Sequence, residues 1–109
     1  MAIPHANPGQ PIDIRPLGPE LSNARTLALF KSGELEVIRL VLLAGKSFPQ
    51  HKVPGEITIQ CLEGKFEVTA EGHSRLLQAG QLLYLPGGIP YSLIGIEDAS
   101  GLITIVLKN

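Results

Sequence analysis

The chain has 109 residues, which fits one domain and excludes two. Apolar residues make up 44% and charged residues 17%, enough for a core, and the formal net charge of −1 comes without runs of either sign. That balance excludes the electrostatic footprint of a nucleic-acid or anionic-membrane binder, and no apolar stretch approaches the roughly 20 residues of a membrane-spanning helix.

Pro4, Pro8, Pro11 and Pro16 oppose a helix near the start, because each removes a backbone donor and constrains the residue before it. Ile12-Asp13-Ile14-Arg15 alternates like an edge strand, so residues 1–18 are expected as an extended proline-rich segment and 19–109 as the domain proper. The first residues lack both a basic start and an apolar h-region, which sets the expectation of a cytoplasmic protein. Glu20 to Asn23 is compatible with a helical turn, whereas Thr26 to Phe30 reads as a strand ending at Lys31-Ser32-Gly33.

Beyond that turn the strand signal strengthens. Leu35 to Leu43 is aliphatic and β-branched and stops at Ala44-Gly45; Ile57 to Leu62 and Phe66 to Ala70 follow, with turns at Glu63-Gly64 and Glu71-Gly72. Leu76-Leu77, Leu82 to Leu85, Tyr91 to Ile96 and Leu102 to Leu107 complete the series. Strands at intervals of about 8 to 12 residues with turn signals between them predict an all-β, antiparallel sandwich or barrel. The single cysteine, Cys61, lies in an apolar run and is expected as a buried, reduced thiol.

Phosphate-cradling glycine patterns, zinc-type cysteine pairs and a Ser/His/Asp arrangement are all missing from the sequence. What carries a pattern is Gly45 with His51, Val53, Glu56, Ile57 and Gly64, followed by Gly80, Pro86, Gly88 and Tyr91. These two stretches resemble the paired motifs of the cupin superfamily. The first motif runs Gly, five residues, His-x-His, three or four residues, Glu, six residues, Gly; the second runs Gly, five residues, Pro-x-Gly, two residues, His. Gly45, His51, Gly64, Gly80, Pro86 and Gly88 match in spacing, and the resemblance covers about Leu35 to Leu107. It implies a single-domain antiparallel jelly-roll β-barrel.

In metal-binding cupins two histidines and a carboxylate of the first motif and a histidine of the second hold a divalent ion. At those places this chain has His51, Val53, Ile57 and Tyr91; with a four-residue spacer the carboxylate place falls on Thr58. Valine and isoleucine offer no donor, so no metal or other cofactor is expected, and any divalent ion would be held weakly through His51. Glu56 is offset by one residue and reads as a solvated turn residue. If the family's orientation carries over, Ile57, Ile59 and Cys61 face inward and Thr58 and Gln60 outward. The implied ligand pocket comprises His51, Val53, Ile57, Ile59, Cys61 and Tyr91, suited to an apolar small molecule with one polar function. His5 and His73 read as exposed residues without a role, and Tyr84 and the phenylalanines as barrel wall.

Three functions follow from the resemblance. The first is a small-molecule-binding barrel with a degenerate, metal-free site, which is the expectation and leaves the chain more a binder than an enzyme. The second is a cupin enzyme. It would be either a metal-dependent oxygenase or isomerase, or a metal-free catalyst with His51 and Tyr91 as base and acid, in the manner of sugar-epimerase cupins. The third is a structural or interaction module with a vestigial pocket. A homodimer is expected in each case, with no nucleic-acid or membrane partner.

Overall fold

A computed structural model describes residues 6–108. His5 lies outside them. The strands are β1 (Leu27–Lys31), β2 (Leu35–Leu42), β3 (Ser47–His51), β4 (Ile57–Glu63), β5 (Lys65–Ala70), β6 (His73–Gln78), β7 (Leu82–Leu85), β8 (Tyr91–Gly95) and β9 (Ala99–Val106). One six-residue 3-10 helix, Gly18–Asn23, precedes them, where Pro19 suits a first helical turn. No helix among the described residues is long and apolar enough to cross a membrane.

Two antiparallel sheets face each other, one ordered β1-β2-β9-β4-β7 and the other β3-β8-β5-β6. β9 therefore returns between β2 and β4, and β8 between β3 and β5, which is the crossover pattern of a jelly roll. The core forms between the sheets because each strand alternates. In β4, Ile57, Ile59 and Cys61 are buried while Thr58 and Gln60 are half-buried on the other face. Phe66 and Val68 of β5, Tyr91 and Leu93 of β8, and Ile103 and Ile105 of β9 meet them. The predicted faces of β4 are those observed.

Residues 12–15 depart from expectation. Ile12 to Arg15 forms no strand. Asp13 instead accepts the Arg15 backbone N–H at 2.9 Å and its guanidinium at 3.0 and 2.7 Å, which folds the segment on itself between Pro11 and Pro16 and leaves it no ladder to join.

Two motif glycines are explained by geometry. Gly64 turns β4 into β5 at φ +72°, and a Cβ there would stand 2.0 Å from the Asp98 carbonyl oxygen. Gly88, at φ +79°, donates its N–H to the Val53 carbonyl at 2.8 Å, so the second motif's turn is tied to the first motif's.

Candidate functional site

His51 ends β3 and stands opposite Tyr91 of β8, past an irregularity in the ladder between Phe48 and His51. Its ring is exposed and stacks on Phe48, with centroids 4.5 Å apart and planes 18° apart. Nδ1 lies 2.5 Å from the Pro49 carbonyl oxygen. A carbonyl oxygen only accepts, so Nδ1 is the donor, and in the neutral form of the ring the lone pair is on Nε2.

Tyr91 is 2% exposed, and burial pushes its phenol pKa up, which keeps the hydroxyl neutral. Its ring centroid is 6.2 Å from that of His51, tilted by 38°. Ile57, Ile59 and Cys61 are fully enclosed in the core, and Val53 packs against its edge. Burial also raises the Cys61 thiol pKa; the S–H points to the Glu63 carbonyl at 3.4 Å. Cys61 lies four residues beyond Ile57, or about 13 Å along the strand. Thus His51, Tyr91 and Val53 gather at one end with Ile57, while Ile59 and Cys61 run down into packed core.

The donor set does not fit a divalent ion. Among the described residues no three His, Cys, Asp or Glu side chains come together as ligands. Glu56, one residue off the carboxylate place, is exposed and accepts the Tyr84 hydroxyl at 2.6 Å instead.

The concavity on the inner side lies beside this end. β6 and β7 are each one edge of their sheet, the other edges being β3 and β1, and the cavity below is lined from both. This cavity measures about 220 Å³. Val68 and Ala70 of β5 and Leu83 and Leu85 of β7 form its apolar floor, and Glu71, His73, Arg75 and Tyr84 its rim. The sequence-predicted residues adjoin this floor through the ladders, since Leu85 pairs with Ile57 and Ala70 with Tyr91.

The sequence offers no role for Arg75 and gives His73 as exposed; the structure has both exposed on β6, at the rim of this cavity. The available signal was parity, because His73, Arg75 and buried Leu77 alternate along β6 and share a face.

A second polar group also went unseen. Arg39 is 6% exposed within β2; its Nη2 donates to the Arg15 carbonyl at 2.9 Å and to Ser100 Oγ at 3.1 Å, and lies 3.5 Å from Glu63 Oε2. Glu63 also accepts from Ser100 Oγ and from the backbone N–H groups of Leu17 at 2.9 Å and Gly18 at 3.1 Å. Burial pushes the Glu63 carboxyl pKa up. The hydrogen bonds from Ser100, Leu17 and Gly18, with the Arg39 charge, outweigh it and hold the pKa below the usual range. This network clamps residues 15–18 onto the outer face of the five-stranded sheet. A lone arginine inside an aliphatic strand was the signal.

The sequence model of the family described as cupin domain matches residues 38–107. No curated protein matches the chain. Among solved structures, a conserved protein of unknown function from Streptococcus pyogenes is 21% identical, with 100% of this chain and 99% of that one covered and a TM-score of 0.75. A cupin superfamily protein from Desulfitobacterium hafniense is 18% identical over 89% of this chain and 94% of its own, also at 0.75. KdgF from a Halomonas species is 19% identical over 77% and 78%, at 0.68. At these identities the likeness is one of fold.

Proposed function

The chain belongs to the cupin domain family, and on that scaffold we propose that it binds a small molecule at the barrel mouth without a metal. One observation carries the reading: an apolar floor of Val68, Ala70, Leu83 and Leu85 has a cationic donor, Arg75, at its rim. The family's ligand places meanwhile hold Val53, Ile57 and Tyr91 beside a single histidine. A cavity of about 220 Å³ is below the usual range for drug-sized ligands, so the ligand is small, with an aliphatic body and one oxygen acceptor for Arg75. Elemental analysis of the purified chain, with calorimetry against Mn, Fe, Ni and Zn, tests the metal-free part. Tight stoichiometric metal would refute it.

A second reading, acid–base catalysis, draws support from the His51 tautomer. With Nδ1 on Pro49, the Nε2 lone pair is available as a base, and Tyr91 supplies a neutral hydroxyl from the neighbouring strand. For a candidate substrate, turnover lost in His51→Ala and slowed in Tyr91→Phe would favour it; turnover untouched by both changes would remove it.

Self-association into a homodimer belongs to the same proposal. Leu82 and Tyr84 are 62% and 58% exposed on β7, beside uncharged Thr58 and Gln60 of β4, which favours a second copy over solvent. Light scattering that gives only a monomer at micromolar concentration would contradict it.

A further inference from the structure

A concavity larger than the one at the barrel mouth lies outside the barrel. It lies on the outer face of the five-stranded sheet, between the clamped N-terminal segment and strands β1 and β2, and measures about 690 Å³. Leu27 and Leu29 of β1 and Val41 of β2 make its floor, and Leu17 one wall. This volume lies within the range that small-molecule sites occupy.

The charges around the cleft are unequal. Asp13 is spent on the Arg15 guanidinium, and Glu63 accepts four polar contacts from the clamp. Arg25, by contrast, lines the cleft with no ion pair among the described residues. Arg39 is ion-paired with Glu63 and makes both its hydrogen bonds through Nη2, while its enclosed Nε has no partner. A buried arginine with N–H capacity to spare adjoins this cleft and a smaller one beside it. The apolar floor, the unpaired Arg25 guanidinium and the spare Arg39 Nε–H beside it together describe a ligand with an aliphatic body and an anionic head.

We propose that this cleft binds an aliphatic monocarboxylate, with its chain on Leu27, Leu29 and Val41 and its carboxylate at Arg25 and Arg39. The site is separate from the barrel mouth, so it stands or falls independently of the reading above. Because Leu17 and the Arg15 carbonyl belong to the clamp, the clamp is the wall of the site as well as a fastening.

Amide NMR of the full chain, titrated with decanoate and separately with decan-1-ol, tests the proposal. The expected result is saturable binding of decanoate at one molecule per chain, with shifts at residues 24–29 and 41. Decan-1-ol should bind about tenfold more weakly. Arg25→Gln should weaken decanoate several-fold, and Val41→Trp, which fills the cleft from the half-buried outer face of β2, should abolish it while the remaining spectrum stays folded. Shifts confined to Val68, Leu83 and Leu85 would overturn the proposal. So would equal affinity for acid and alcohol, indifference to both substitutions, or no saturation by about 1 mM.

Discussion

Tyr91 stands directly across the β3–β8 ladder from His51, yet the two rings are 6.2 Å apart, and His51 is turned onto Phe48 and Pro49. That end of the barrel therefore holds one imidazole and a buried phenol that stays neutral.

If the backbone of that place is intact and only its donors are gone, restoring them restores metal binding. The double variant Val53→His with Tyr91→His gives three imidazoles, the number found at many catalytic zinc sites. After dialysis it should retain about one Zn or Ni per chain, against none for the natural sequence. A double variant that folds but retains no metal would show that positions 51, 53 and 91 do not converge.

The clamp makes stability depend on pH. The Glu63 pKa is lower in the folded chain than in the unfolded one, so the carboxylate's contribution is complete above the unfolded value and is lost as pH falls through the folded value. Glu63→Gln should destabilise the fold by about 2–4 kcal/mol at neutral pH, since it leaves Arg39 buried with its charge uncompensated. The gap between variant and natural chain should close in acid. Urea titrations at pH 7 and below pH 4 check both points, and a gap that widens in acid would contradict the assignment.

Cys61 is enclosed, and burial holds its pKa above that of a free thiol. Its alkylation by iodoacetamide under native conditions should be about a hundredfold slower than in the denatured chain, and should speed up in parallel with denaturant-induced opening. Fast native labelling would place Cys61 in an accessible lumen instead.

The two turns at Gly64 and Gly72 separate backbone strain from crowding. Both glycines have positive φ, +72° and +76°, but a Cβ at Gly72 meets nothing within 4 Å whereas one at Gly64 meets Asp98 O at 2.0 Å. Gly72→Ala should cost about 1 kcal/mol, the left-handed penalty alone. Gly64→Ala should cost several-fold more by urea denaturation; equal costs would mean the Asp98 loop yields freely.

Strand positions and inner faces were legible because alternation is local: Ile57, Ile59 and Cys61 announce their face within one strand. The motif frame was legible because Gly64 and Gly88 answer to backbone geometry rather than to function. The mouth was harder, since Arg75 reaches it only because β6 is an edge strand, which depends on how two sheets close. The clamp was illegible for the same reason. Arg39, Glu63 and Ser100 come from three strands, and Leu17 from a segment in which the alternation of Ile12 to Arg15 suggests an edge strand rather than a loop fastened by side chains.

The most direct measurement of the central claim is amide NMR of the chelator-treated chain titrated with butyrate, with Arg75→Gln in parallel. Butyrate should give saturable shifts at Val68, Ala70, Leu83 and Leu85 without added metal, lost or much weakened in Arg75→Gln. Shifts at these residues that appear only after a divalent metal is restored, or none at all, would contradict it.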